Sequence, residues 1–328
     1  MKTLKSVQQQ VTAMAMAAMV CATFAGTARA AQLSGDARSS IPKDVQQIIV
    51  VDYRTMQSSP AAMQLKDRVL PPELKRLETA LKTSGLKVDQ DADTLAFAAF
   101  RSGTDKSGNA GTRILGVAQG QFDTASIMAH FAKDKTKPTV YRQNSIYPMG
   151  SAGMSVAFLN QTTMIFGDRD AVKAALDARD GLQPNFLQNS EMMNDMASVD
   201  SRPVWSLLDQ KGTQTMMQGV LGDASQLADF DTVKTRFKSA RYTMDFSNGV
   251  KFDMYVVTAD TITAATAATL MQGVAMMRKT SGSPLEKTAV DDTNISSNAG
   301  TLTVAYSSSD SEFAGLLTSP LFQQVVTK

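Results

Sequence analysis

Apolar and polar positions change rhythm at intervals along this chain, and each change marks a predicted element. The run "QQIIVV" (46–51) is apolar and β-branched and predicts a strand. It runs into Asp52, Tyr53 and Arg54, where helical spacing takes over. Ser59 is a predicted N-cap with Pro60 at the first helical position, and Met63, Val69 and Leu70 follow. A second helical piece from Pro72 places Leu74, Leu77 and Leu81 on one face and stops at Gly85. "TLAFAAF" (94–100) and "RILGVAQGQF" (113–122) read as paired strands. Asp123-Thr124 then opens a helix, because a short carboxylate accepts from the free amides of a first turn. Strands "TVYRQNSIY" (139–147) and "MSVAFLNQTTMIFG" (154–167) follow, then the helices "DRDAVKAALDA" (168–178) and "NSEMMNDM" (189–196), the latter capped by Ser190.

The same order recurs in the second part of the chain. "VVDYRTMQ" (50–57) aligns with "LLDQKGTQ" (207–214), so Asp209 matches Asp52 and Lys211 matches Arg54. Met216, Met217, Val220 and Leu221 form the matching helix face. "ARYTMDF" and "VKFDMYVV" flank Asn248-Gly249, a hairpin signal whose two turn positions both take positive φ. Asp260-Thr261 opens the next helix, "TNISSNAGTLTVAY" (293–306) supplies strands, and helices follow at "SSDSEFAGLL" (308–317) and after Thr318, with Ser319 as cap. The predicted fold class is therefore α+β: two tandem repeats of a β-α-β-β-α-β-β-α unit at residues 44–200 and 201–328, with antiparallel or mixed sheets and helices packed on one face.

Residues 1–30 fit neither unit. Lys2 and Lys5 precede an apolar run from Val11 to Ala25, and "ARA" (28–30) ends the segment on small residues. This is the pattern of a cleavable signal peptide. The run is shorter than the roughly 18–20 residues of a membrane span. Val20 before Cys21 is too bulky for a lipid-attachment signal. The expectation is export, cleavage after Ala30, a polar flexible lead-in over 31–43, and a soluble protein in the periplasm or outside the cell.

Cleavage changes the chemistry in two ways. It removes Cys21, the single cysteine, and with it any disulfide or thiolate site. It also removes Lys2, Lys5 and Arg29, so the 33 basic and 31 acidic residues become 30 and 31, a formal net charge of −1. No basic face is implied, which argues against nucleic acid as a partner.

Most catalytic constellations are missing. His130 is the single histidine and reads as a border residue of its helix; one histidine cannot build a zinc site. "GMSVA" (153–157) precedes no helix, and Ser84 with Lys87 in "SGLK" reads as a capping turn. Neither a P-loop nor a Gly-x-Gly-x-x-Gly motif occurs. Asp89, Asp91 and Asp93 alternate as a calcium loop begins, but Thr94 and Phe100 stand where Gly and Glu belong, so they are weak metal candidates. Asp52 and Asp209 are candidate catalytic carboxylates if the units turn their strand ends into a shared cleft. Arg54 and Lys211 are the accompanying binding candidates. The methionine clusters and Trp205 read as core.

No cofactor is implied. The expected function is non-catalytic binding of a protein or small-molecule ligand, through the groove between the two units or through their faces. The alternatives are a carboxylate-dependent hydrolase using Asp52 and Asp209, or a structural or assembly protein of the cell envelope that oligomerises.

Overall fold

The computed structural model describes residues 31–69, 72–83, 86–104, 110–149, 153–221 and 233–319. The predicted signal peptide, Ser84 and the helix expected beyond Ser319 lie outside them. The described chain opens with helix α1 (Gly35–Ser40) and strand β1 (Val45–Asp52). Helices α2 (Tyr53–Gln57), α3 (Pro60–Val69), α4 (Pro72–Thr83) and α5 (Val88–Asp91) lead into the long hairpin β2 (Ala92–Thr104) and β3 (Ala110–Gly120). Helix α6 (Thr124–Lys133) precedes β4 (Thr139–Tyr141), β5 (Asn144–Met149), β6 (Met154–Phe158) and β7 (Thr163–Asp168). Helices α7 (Arg169–Arg179) and α8 (Ser190–Ala197) follow, then β8 (Val204–Leu208), α9 (Gln210–Leu221), β9 (Phe237–Asp245) and β10 (Val250–Thr258). The chain continues through α10 (Thr261–Ser281), α11 (Pro284–Asp291), β11 (Thr293–Asn298), β12 (Thr301–Ser308) and α12 (Asp310–Leu316).

These strands form one twelve-stranded sheet in the order β11-β12-β10-β9-β8-β1-β2-β3-β7-β6-β5-β4. Every neighbouring pair is antiparallel. The fold is therefore α+β. At its centre β1 pairs with β8, Val50 opposite Trp205. Outward from that pair the order is β1-β2-β3-β7-β6 on one arm and β8-β9-β10-β12-β11 on the other.

Helices on one face alone do not describe the molecule. Every residue of β1 is buried. Ile49 and Val51 pack with Tyr53, Leu77, Phe131 and Met217 in one core, whereas Ile48 and Val50 pack with Ala37, Leu176, Met196 and Trp205 in a second. Alternate residues of a strand point to opposite faces, so the two cores lie on the two sides of the sheet. The unbroken "IIVV" is what a strand covered on both faces requires. The outer strands of the second arm do alternate. Phe252, Met254 and Val256 of β10 are buried in the first core, while Lys251 is exposed and Asp253 and Tyr255 are half-buried.

The second core also corrects the expectation of a flexible lead-in at 31–43. Ser34 Oγ accepts from Ala37 N at 3.2 Å and caps α1. Ala37 and Ile41 are fully buried, and Trp205 Nε1 donates to Ala31 O at 2.8 Å. Leu33, Ala37 and Ile41 recur every fourth residue, a helical stripe diluted by polar neighbours.

Two helices matched in the sequence part company here. Helix α7 buries Ala171, Val172, Ala175 and Leu176 in the second core, whereas α12 buries Phe313 in the first. Local details differ as well. Asn189, not Ser190, caps α8, accepting from Met192 N at 3.1 Å. In the β9–β10 turn Gly249 alone takes a positive φ, 76°, and a Cβ there would meet Ser308 O at 2.4 Å.

Candidate functional site

The strand-end aspartates do not meet. Asp209 N donates to Gln46 O at 3.0 Å, which sets Asp209 beside one end of β1 while Asp52 closes the other. Six strand positions at about 3.4 Å each put them about 20 Å apart. Antiparallel pairing of β1 with β8 makes this unavoidable. Each carboxylate instead ties a strand end to a helix start. Asp52 accepts from Thr55 N at 2.9 Å and Thr55 Oγ1 at 2.7 Å. Asp209 accepts from Gly212 N at 2.7 Å and pairs with Arg101. Arg54 is exposed and pairs with Asp93, and Lys211 is exposed on α9. Among the described residues the seam between the arms is filled: Gln47, Ser206 and Tyr242 occupy its first face, with Gln47 Nε2 3.2 Å from Tyr242 Oη, and Ile48, Trp205 and Leu207 occupy the other. Burial pushes the Tyr242 hydroxyl pKa upward against the opposing hydrogen bonds of Ser206 and Gln47.

The three alternating aspartates also diverge. Asp89 accepts from Tyr53 Oη at 2.9 Å, Asp91 accepts from Lys87 N at 2.8 Å, and Asp93 holds Arg54. Among the described residues no group of three His, Cys, Asp or Glu converges as metal ligands would. His130 Nε2 lies 3.2 Å from Oδ2 of Asp134, the C-cap of its own helix.

What the structure does assemble is a cavity under α4. Its floor is the first-core face of β2, β3 and β7, contributed by Leu95, Phe97, Ala118, Met164 and Phe166. Gly116 makes room for this floor, since a Cβ there would sit 2.1 Å from Phe166 Cε2. The Phe97 and Phe166 rings meet edge to face at 5.9 Å. Leu74, Leu77 and Leu81 form the roof, spaced so that one face of α4 looks down on the strands. Leu86, Val88 and Phe122 close the sides. The enclosed space measures about 60 Å3, a small apolar pocket below the size of most small-molecule sites.

Lys66 and Glu78 stand in one wall, and an ion-pair network extends from them to Lys82 and Asp89 outside the lining. Lys66 Nζ lies 2.8 Å from Glu78 Oε1, 3.1 Å from Tyr53 Oη, and 5.3 Å from the Tyr53 ring centre. Lys82 Nζ reaches Glu78 Oε1 at 3.1 Å and Asp89 Oδ2 at 3.2 Å. The Lys66 side chain is 10% exposed and that of Glu78 21%, so the pair is largely screened from water. Burial works against the Glu78 charge, but Lys66 and Lys82 outweigh it and hold its pKa below the ordinary carboxylate range. Burial likewise opposes ionised Asp89, and the Tyr53 hydroxyl and Lys82 draw its pKa below the ordinary range. Glu78 and then Asp89 hold the Lys82 pKa above its ordinary value.

Lys66 and Glu78 were not among the residues singled out by sequence. A signal existed: Glu78 stands on the same helical stripe as Leu74, Leu77 and Leu81, and Lys66 stands four residues after buried Ala62.

No known protein family and no curated protein match the chain. Among solved structures it is similar to crystal form I of TP0453, with a TM-score of 0.47 and 9% identity over 85% of this chain and 95% of that one. Crystal form III of TP0453 gives 0.48 and 8% over 85% and 96%. No helix among the described residues is long and apolar enough to cross a membrane.

Proposed function

We propose that this is an exported, non-catalytic binding protein whose site is the cavity under α4. The observation that carries the reading is an apolar floor and roof enclosing about 60 Å3, with the Lys66–Glu78 ion pair in one wall. Apolar walls offer a ligand dispersion contacts and release of water. The site lies within the first arm and not between two units. Residues 44–200 and 201–328 are proposed as descendants of one duplicated unit, supported by the shared strand order of the two arms. No observation favours the hydrolase reading, which needs Asp52 and Asp209 in one cleft. The envelope-assembly reading would show as self-association in sedimentation at several concentrations.

The test is a titration of the mature chain from Ala31 with N-phenyl-1-naphthylamine, an uncharged apolar dye. Saturable fluorescence enhancement is expected, weakened by Ala118→Leu, which fills the floor, and by Leu74→Trp, which narrows the roof. Enhancement that neither variant changes would move the site elsewhere, and no enhancement would remove the reading. Export is tested by sequencing the N-terminus of the mature protein: Ala31 is expected, and a retained Met1 counts against it.

A further inference from the structure

Independently of the cavity, we propose that a second copy of this chain docks on the free edge of β11 and on the side of α10 that overhangs it, with β11 pairing antiparallel to β11 about a two-fold axis. The sheet has two edges, β4 and β11, and they are built differently. Strand β4 is three residues long and is flanked by Lys137, Pro138 and Arg142, residue types that keep an edge from pairing. Strand β11 is six residues long, "TNISSN", and carries no charge, proline or bulge.

The β11–β12 hairpin fixes which backbone groups are free. Ala299 and Gly300 turn with φ of 45° and 81°, a two-residue turn that makes Asn298 and Thr301 a hydrogen-bonded pair. Alternation then points the N–H and C=O groups of Thr293, Ile295 and Ser297 away from β12. Helix α10 reaches the same edge, where Gln272 Nε2 donates to Ile295 O at 2.9 Å. On the Gln272 side of that helix, Ile262, Ala265, Thr269 and Met276 are all exposed and uncharged. They run about 21 Å along the helix, against about 20 Å for the strand.

An added peptide strand would cover the edge and leave the helix side bare. A second copy covers both, because a two-fold axis at Ile295 sets strand against strand and helix against helix. That register pairs Ile295 with itself and Asp292 with Asn298 of the second copy, so no like charges stand opposite each other. Gln272 must release Ile295 O for the strands to pair, so it guards the edge in the monomer. A strip about 20 Å long and about 20 Å deep gives roughly 400 Å2 per copy, about half of a standard interface, so the dimer is weak and reversible.

The experiment is sedimentation equilibrium of the mature chain from Ala31 between roughly 1 µM and 1 mM. A monomer–dimer equilibrium with Kd of about 10–100 µM is expected. Ser297→Pro removes an outward N–H and leaves the bonds to β12 in place. Thr269→Glu sets two carboxylates near the axis, and Thr269 is exposed on its helix, so this variant keeps the fold and tests the surface by itself. Each is expected to weaken the dimer at least about tenfold, while Val140→Glu on β4 leaves it unchanged. A monomer at every concentration overturns the proposal, and so does a dimer that Thr269→Glu does not weaken. Species larger than a dimer, as an assembly protein would give, overturn the closed two-fold pairing. None of these outcomes alters dye binding in the cavity, so the two readings fail separately.

Discussion

At the scale of single residues, the carboxylates that first suggested catalysis are structural. Asp52 spends both oxygens on Thr55. Asp52→Ala is expected to cost about 0.5–2 kcal/mol in urea unfolding, and Asp52→Asn much less, because an amide oxygen still caps. A catalytic carboxylate would not be rescued so. Glu78 makes the opposite case, a residue without a sequence motif that the fold places in an ion-pair network with Lys66 and Lys82. Its folded pKa lies below the ordinary range, so its ionised form stabilises the native state. That contribution is fully present above the unfolded carboxylate pKa of about 4 and is lost as pH falls through the lower folded value. Melting temperature against pH should therefore fall less steeply below about pH 4 in Glu78→Gln than in the wild type. Identical acid limbs would show that Lys66 and Lys82 do not hold Glu78 in solution.

At the scale of elements, what is set locally was legible in the sequence. Asp123, Asp168 and Asp260 each cap the helix they precede, and Ser59 Oγ accepts from Ala62 N at 3.2 Å. Such bonds span three residues, so the sequence carries all their information. The strands and hairpins were readable for the same reason. Which side of the sheet a helix takes was not, because it depends on how long the connection is and what is already covered. Helices α7 and α12 have similar capped, amphipathic sequences and pack in opposite cores. The cavity was illegible because its roof at Leu74 to Leu81 and its floor at Leu95 to Phe166 meet only through tertiary packing. The segment before β1 offers the clearest test. Ile41→Ala is expected to destabilise by about 2–5 kcal/mol, the cost of emptying a fully buried aliphatic site. It should also red-shift Trp205 emission, since Trp205 shares that core. A loss under about 0.5 kcal/mol, ordinary for surface positions, would mean that residues 31–43 do not dock.

At the scale of the whole molecule, the β1–β8 pairing makes one sheet of what the sequence presents as two units. Gln47, Ser206 and Tyr242 lie under a common core that runs across the join. The two arms should therefore unfold together. Denaturant curves from Trp205 fluorescence, which reports the join, and from far-UV circular dichroism, which reports all elements, are expected to coincide. Two separated transitions would show that the arms are independent domains. The same join sets a delay. Gln47 and Ser206 are 159 residues apart along the chain. At ribosomal rates of about 5–20 residues per second, β1 waits roughly 8–32 s for its partner to be made. Through that interval a strand that is buried along its whole length in the folded protein has a bare edge. A nascent chain of this design carries that edge unpaired until β8 arrives.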